Sequence, residues 1–99
     1  MTDNQTVDDL TYSYIDETGR MVRRELAKEV LTKGAWATIL YKYQDIDRKT
    51  DDFGAEKAAI VRYRKRQGIY KRHKEFAISN AGQARKILET LSGWFPAEP

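Results

Sequence analysis

The feature that most limits the fold is a predicted β-hairpin that is followed at once by a single helix. Residues 58–64 are rich in β-branched and aromatic side chains, and residues 69–78 return in the antiparallel direction after a tight turn at Gln67-Gly68. Asn80 and Gln83 then have the spacing of a capping box at a helix N-terminus. A hairpin and one helix bury little apolar surface alone, so further strands are required upstream.

The segment after Asn80 has the periodicity of an amphipathic helix. Gly93 is predicted to end this helix, and the prolines at 96 and 99 cannot continue it. A helix with one apolar face must cover a sheet or another molecule, and on so small a domain the end of the face is predicted to contact a second copy. The apolar stripe is Ala84, Ile87, Leu88, Leu91, Trp94 and Phe95, and the predicted homodimer contacts are Leu88, Leu91, Trp94 and Phe95.

Upstream segments supply the other strands. Residues 36–44 are strongly β-prone, and residues 11–15 alternate before a turn at 16–19. Residues 21–32 fit either a helix or a strand, and we favour a strand in which Val22, Leu26 and Val30 share one face, interrupted by Arg24 and Lys28. The order predicts an α+β domain, with an antiparallel sheet of four or five strands and one C-terminal helix.

Length and composition restrict the possible functions. Ninety-nine residues support one domain, predicted over residues 11–95, with a flexible acidic tail at 1–10 and a short tail at 96–99. The absence of cysteine excludes disulfides, zinc ribbons and thiol chemistry. No apolar run approaches the ~18 residues of a membrane span and no export signal is evident, so a cytoplasmic location without membrane contact is expected.

Charge is concentrated in the predicted hairpin. Seven of the thirteen residues from 62 to 74 are Lys or Arg and none is acidic, although the whole chain carries only +3. Cations interleaved with aromatic rings are what a protein needs to bind single-stranded nucleic acid, because cations contact phosphates and rings stack on bases. The predicted interface is Trp36, Lys42, Arg62, Tyr63, Arg64, Lys65, Arg66, Tyr70, Lys71, Arg72, His73 and Lys74.

Strand alternation divides the hairpin into two faces. Arg62, Arg64 and Arg66 are expected to share one face, with Val61, Tyr63 and Lys65 on the other. On the return strand the same alternation places Tyr70, Arg72, Lys74, Phe76 and Ile78 together. The alternative interpretation is a small protein-interaction or dimerisation module with no nucleic-acid role, in which the charge serves solubility, edge protection or an acidic partner. Edge protection, however, does not require charges of one sign.

Other candidate sites are weaker. Residues 45–56 place acids at positions one, three, seven and twelve of a calcium-loop window, but Thr50 stands where the loop requires glycine, which favours a solvated connection. His73 is the sole histidine and lies among cations without a nearby nucleophile, so it is expected on the surface. No catalytic set, cofactor motif or metal set is evident, and we therefore expect a protein that is not an enzyme and needs no cofactor.

The remaining aromatic residues leave two alternatives open. Trp36, Tyr41 and Tyr43 either form a stacking platform beside the hairpin or belong to the core and the sheet surface. Tyr41 and Tyr43 share a strand face with Ile39, opposite Lys42, so at least one tyrosine is expected in the core.

The order of the segments resembles the positive cofactor four family of transcriptional coactivators and its bacterial relatives. The residues that carry the resemblance are Lys33-Gly-Ala-Trp36, Ile60-Val-Arg-Tyr63, the basic hairpin, Phe76-Ala-Ile-Ser79 and Gln83-Ala-Arg-Lys-Ile-Leu88. The likeness covers roughly residues 21–95, and its motifs are patterns rather than signatures.

The resemblance implies a curved four-stranded antiparallel sheet, a dimer formed through the helix, and binding of single-stranded DNA, more than RNA, with little sequence preference. The chain departs from the family in its acidic connection at 45–56 and in about twenty additional N-terminal residues. The connection would interrupt a continuous basic groove, and the additional segment would cover part of the sheet. The positions that match the family's binding strands are Trp36, Lys42, Arg62, Arg64, Lys71, Arg72 and Lys74.

Overall fold

The structure is a computed structural model, and it describes residues 4–98. Residues 1–3 and 99, which belong to the two predicted tails, lie outside the described part. A short 3-10 helix, Val7–Asp9, precedes the regular elements. These are β1 (Tyr14–Ile15), β2 (Met21–Thr32), β3 (Trp36–Asp47), β4 (Asp52–Phe53), β5 (Lys57–Arg66), β6 (Ile69–Ile78) and α1 (Ala81–Trp94).

The strands form one curved antiparallel sheet in the order β1-β2-β3-β5-β6, and β4 pairs only with the end of β3. The helix follows the last strand, so the predicted α+β fold is confirmed. Residues 21–32 form a strand as favoured, and this strand pairs along most of its length with β3. The two central strands, β3 and β5, are paired from Trp36 opposite Arg64 to Tyr43 opposite Lys57.

One face of the sheet, called here the core face, carries the buried side chains. Tyr41 is fully buried and its hydroxyl shares a hydrogen bond of 2.8 Å with the hydroxyl of Tyr63. This pairing satisfies two polar groups that burial would otherwise penalise. The opposite face of the sheet is called the outer face. The core-face residues are Ala37, Ile39, Tyr41, Tyr43, Ala59, Val61, Tyr63 and Tyr70.

Two bulges in β2 change which of its side chains reach the core. The pairing shifts between Glu25 and Ala27, and again between Val30 and Thr32. Because a shift of one residue exchanges the faces of a strand, Lys28 and Val30 lie opposite the core residues Tyr41 and Ile39. The prediction that Val22, Leu26 and Val30 share a face was therefore wrong.

The N-terminal segment crosses the core face. Gln5 pairs with the tip of the hairpin, where its backbone N–H donates to Gly68 and its side chain accepts from the Tyr70 N–H. Val7 is buried, and the Lys28 ammonium donates to the carbonyls of Val7 and Leu10, each at 2.6 Å. Residues 4–10 are thus attached to the sheet, which differs from the predicted flexible tail. Composition did not indicate this, because only a few apolar side chains anchor an otherwise polar segment.

Tyr12 completes the cover of the core face. Its ring stacks on Tyr41, with ring centroids 5.0 Å apart, and its hydroxyl donates to Glu75 at 2.7 Å. Burial, together with this hydrogen bond, raises the pKa of Tyr12 far above its ordinary value. The predicted β-prone segment 11–15 is reduced to a two-residue strand, because Thr11 to Ser13 bond to Glu25 through side chains instead of a backbone ladder.

The hairpin turn lies at Gln67-Gly68 as predicted, and both residues have positive φ values, 52° and 80°. Its return strand contains a bulge that the sequence did not indicate. Arg62 is opposite Lys74, whereas the next residue, Tyr63, is opposite Arg72, so His73 is the additional residue. The predicted common face of Tyr70, Arg72, Lys74, Phe76 and Ile78 was therefore wrong. The first two lie on the core face and the last three on the outer face.

The helix starts as predicted and ends later. The Asn80 side chain accepts from the Gln83 N–H at 2.8 Å, while the Gln83 side chain accepts from Ser79 rather than from Asn80. Gly93 lies inside the helix, which continues to Trp94, so the predicted stop was wrong. No residue of this helix, all of it within the described chain, is buried. No helix among residues 4–98 is long and apolar enough to cross a membrane.

Candidate nucleic-acid interface

Six cationic or ionisable side chains lie together on the outer face of the hairpin. Trp36 starts β3 and lies beside them, directly opposite Arg64. The group is called here the basic cluster, and four of its members, Arg64, Arg66, Lys71 and His73, border a groove of about 980 Å³ that Gln67, Ile69 and Arg72 also line. The basic cluster consists of Arg62, Arg64 and Arg66 from β5 and Lys71, His73 and Lys74 from β6.

Like charges face each other twice across this hairpin. Arg62 is directly opposite Lys74, and Arg64 is directly opposite Lys71. Like charges at opposed positions of an antiparallel pair destabilise it. Among residues 4–98, none of the ion pairs includes an arginine or lysine of the basic cluster. The nearest acid in sequence, Glu75, lies on the core face opposite Val61 and does not relieve this repulsion.

The Trp36 ring is surrounded by residues of the basic cluster. The guanidinium carbons of Arg62 and Arg64 lie over the ring, 4.5 and 4.8 Å from its centroid. The His73 ring meets it at 80°, with centroids 4.9 Å apart. Each arginine thus makes a cation–π contact that holds its stem in place.

Four of the predicted interface residues lie on the core face. Tyr63 and Tyr70 are buried, and the Tyr70 hydroxyl donates to the carbonyl of Gly34 at 2.6 Å. The Lys65 ammonium lies over the Tyr70 ring at 5.3 Å. Arg72 lies over the Tyr12 ring at 4.8 Å, although it also borders the groove of the basic cluster. Neither tyrosine presents a free ring to a base. Tyr41 and Tyr43 are also buried, so they are core residues rather than a stacking platform.

Lys42 is separated from the basic cluster. It lies six residues after Trp36 on β3, which is roughly 20 Å along the strand. Its ammonium forms an ion pair of 2.7 Å with Glu56 of the acidic connection. The structure therefore brings Trp36, but not Lys42, together with the basic cluster.

The acidic connection lies at the other end of the central strands. Asp45 is nine residues after Trp36, or roughly 30 Å along β3. Its carboxylate accepts from the Arg23 guanidinium at 2.7 Å and lies 3.7 Å from the Lys57 ammonium. Asp51 pairs with Arg20 at 2.8 Å. The connection therefore does not interrupt the basic cluster, and several of its carboxylates have cationic partners.

The Asp45 pair has a consistent electrostatic effect. Partial burial alone would raise the pKa of Asp45, but the hydrogen bond and charge of Arg23, with those of Lys57, outweigh burial and lower this pKa below its ordinary value. The hydrogen bond to Asp45 in turn raises the pKa of Arg23. Within residues 4–98, no group of three or more His, Asp or Glu side chains is arranged to hold a metal ion.

An apolar area extends from the basic cluster towards the helix, and sequence reasoning missed its exposure. Phe76 follows Lys74 on the outer face and is 54% exposed. Leu40 and Ala58 lie further along the same face and line a groove of about 460 Å³ beside the first turn of the helix. The helix stripe also remains open, with Trp94 71% and Phe95 75% exposed.

No protein-family model, no curated protein and no solved structure matches this chain significantly.

Proposed function

We propose that the protein binds single-stranded nucleic acid, with DNA favoured, along the basic cluster and without sequence preference. The observation that carries this proposal is the pair of opposed like charges, Arg62 with Lys74 and Arg64 with Lys71. A hairpin that needed only solubility would be more stable with alternating signs at these positions. A polyanion lying across the hairpin relieves the repulsion and is therefore the ligand that this arrangement favours.

The geometry of β5 supports a linear ligand. Arg62, Arg64 and Arg66 project from alternate residues of one strand, so their stems are spaced by about 6.8 Å. This spacing is comparable to the distance between successive phosphates of an extended strand. Guanidinium groups bind phosphate oxygens through two parallel N–H donors. Three successive phosphates can therefore each contact one of these three arginines.

A single strand fits the site better than a duplex does. The hairpin is twisted and belongs to a curved sheet, and a flexible chain can follow this path while a duplex holds its phosphates in fixed positions. The exposed Phe76 ring, beside Lys74, is available to a base of such a strand. The preference for DNA, and a role in transcription, rest on the resemblance to the positive cofactor four family. This function requires no chemical step.

The direct test is fluorescence anisotropy with labelled oligo-dT, oligo-rU and a duplex at several salt concentrations. If all five arginine and lysine side chains of the basic cluster contact phosphates, log affinity falls with log salt with a slope of roughly −3.5, at about 0.7 per phosphate. The double variant Arg64→Glu/Lys74→Glu is expected to abolish binding.

The matched control for this test is Arg85→Glu/Lys86→Glu on the exposed surface of the helix, which changes the net charge equally and is expected to retain most of the affinity. Equal loss in both double variants would show that only total charge matters. No binding by the wild type at low salt would refute the proposal.

The second proposed function, of a different class, is self-association into a homodimer. Leu88, Leu91, Trp94 and Phe95 remain exposed on the helix, and the same chain carries an apolar groove on its outer face. Exposed apolar patches of this kind commonly mark interaction sites. Analytical ultracentrifugation is expected to give twice the mass of one chain for the wild type and a single-chain mass for Leu91→Asp. A monomeric wild type at tens of micromolar would contradict this assignment.

A further inference from the structure

The environment of Trp36 differs from that of an exposed aromatic ring on which a nucleic-acid base can stack. A ring that serves as a stacking platform has a free face, whereas guanidinium groups from Arg62 and Arg64 lie over this one and His73 meets it at 80°. The ring is also half-buried at the start of β3. A base that stacked where a guanidinium lies would have to displace it and would lose a cation–π contact.

We infer that Trp36 is a positioning residue, which orders the guanidinium groups of Arg62 and Arg64 for phosphate, and that it does not stack on bases. The inference rests on the proposed function and defines the ligand more closely. The ligand is a chain of phosphates, whether it carries bases or not.

The physical reason lies in the entropy of long side chains. An arginine side chain that nothing holds in place loses rotamer freedom when it binds a phosphate, and this loss of entropy weakens binding. Arg62 and Arg64 already rest on an aromatic face, and Trp36 is itself fixed by its place opposite Arg64 in the sheet. Their repulsion from Lys74 and Lys71 would otherwise favour conformations that spread the charges apart. The indole therefore contributes to affinity through the arginines.

The test compares three ligands of matched charge: oligo-dT, an abasic oligonucleotide of the same length, and inorganic polyphosphate. In the background Phe76→Leu, which removes the exposed ring beside Lys74, the protein is expected to bind the first two within about threefold of each other, since single-strand contacts to phosphate do not depend on the base. Trp36→Leu is expected to weaken binding of all three by roughly five- to twentyfold, because two arginines then lose rotamer freedom on binding, at about 0.5–1.5 kcal/mol each. Trp36→Phe, which retains a ring, is expected to restore most of the affinity. Binding of oligo-dT without binding of either ligand that lacks bases would overturn the inference.

A double-mutant cycle separates positioning from direct contact. In the background Arg62→Gln/Arg64→Gln, Trp36→Leu is expected to have no further effect on affinity, because the groups through which the indole acts are gone. The matched control is Phe53→Leu, which removes a ring that lies under Arg24 at 4.0 Å outside the basic cluster and should leave phosphate binding unchanged. If Trp36→Leu weakens oligo-dT alone, or weakens it equally in the Gln background, Trp36 stacks on bases and the inference is overturned.

A measurement without ligand tests the ordering itself. Ring currents of Trp36 should shift the Nε–H proton signals of Arg62 and Arg64 in the NMR spectrum of the free protein, and Trp36→Leu should remove these shifts. Absent shifts in the wild type would refute the ordering even if nucleic acid binds. If the shifts are present but no phosphate chain binds, the proposed function and the phosphate ligand fail while the ordering remains.

Discussion

Reversal of one charge in the hairpin should make the free protein more stable while it weakens ligand binding. Lys74 lies on the outer face directly opposite Arg62, whose guanidinium also contacts the Trp36 ring. Opposed side chains in an antiparallel pair have Cβ atoms about 4.5–5.5 Å apart, and each such charge pair is worth roughly 0.2–1 kcal/mol. Lys74→Glu removes one repulsion and adds one attraction, so the free energy of unfolding should rise by about 1 kcal/mol.

Thermal unfolding at fixed protein concentration measures this change. For a domain of this size a gain of about 1 kcal/mol raises the Tm by roughly 4–8 °C. The gain should shrink in about 1 M salt, where the Debye length falls to about 3 Å. Lys42→Glu is the matched control, because it makes the same change in net charge but breaks the ion pair with Glu56 and should not stabilise. A lower or unchanged Tm for Lys74→Glu in low salt would refute the argument that repulsion is retained in this hairpin for binding.

Three further predictions concern the core face and its ion pairs. Because the pKa of Asp45 is lowered in the folded protein, its carboxylate stabilises the fold above the ordinary carboxyl pKa of about 4, and this stability is lost as the pH falls through the folded pKa. Asp45→Asn should therefore cost roughly 1 kcal/mol at pH 7. It should also make the urea midpoint depend less on pH between about pH 5 and 2. Burial raises the pKa of Tyr41 above its ordinary value of about 10, so the free energy of unfolding should decline as the pH rises above about 10. A urea midpoint that stays constant up to about pH 11 would contradict the burial of Tyr41. Tyr12→Phe removes the hydrogen bond to Glu75 and should cost about 1 kcal/mol in the same assay, whereas an unchanged midpoint would mean that this contact contributes nothing.

The elements of the fold were predictable because their signals are local. The turn at Gln67-Gly68 requires residues that tolerate positive φ, and the Asn80 side chain caps the helix within three residues. The sequence of residues 21–32 did not decide between helix and strand, since its apolar side chains fit both the helical and the strand periodicity. The end of the helix was missed because Gly93 was weighted as a stop, although a glycine inside a helix costs only about 1 kcal/mol.

The sequence predicted which residues belong to the candidate site better than it predicted the face of the sheet on which each of them lies. Alternation placed Arg62 and Arg64 on one face of β5, as the pairing with β3 has them. It misplaced Tyr70 and Arg72, because nothing in the local sequence marks the bulge at His73. The docking of the N-terminal segment was also beyond prediction, since it depends on contacts between residues far apart in sequence, such as Tyr12 with Glu75.

The bulge gives position 73 a role that is separate from its side chain. The bulge takes His73 out of the alternation of β6, so that Tyr70 enters the core while Lys74, four residues later, reaches the outer face. A substitution at 73 alters only the surface of the basic cluster. Loss of the residue would leave a regular ladder in which Arg72 still lies opposite Tyr63 and Lys74 still lies opposite Arg62, so both halves of β6 would keep their faces. What the deletion would remove is the local bend and the additional twist that a bulge gives to a hairpin, so the bulge shapes the path of the strand rather than the choice of faces.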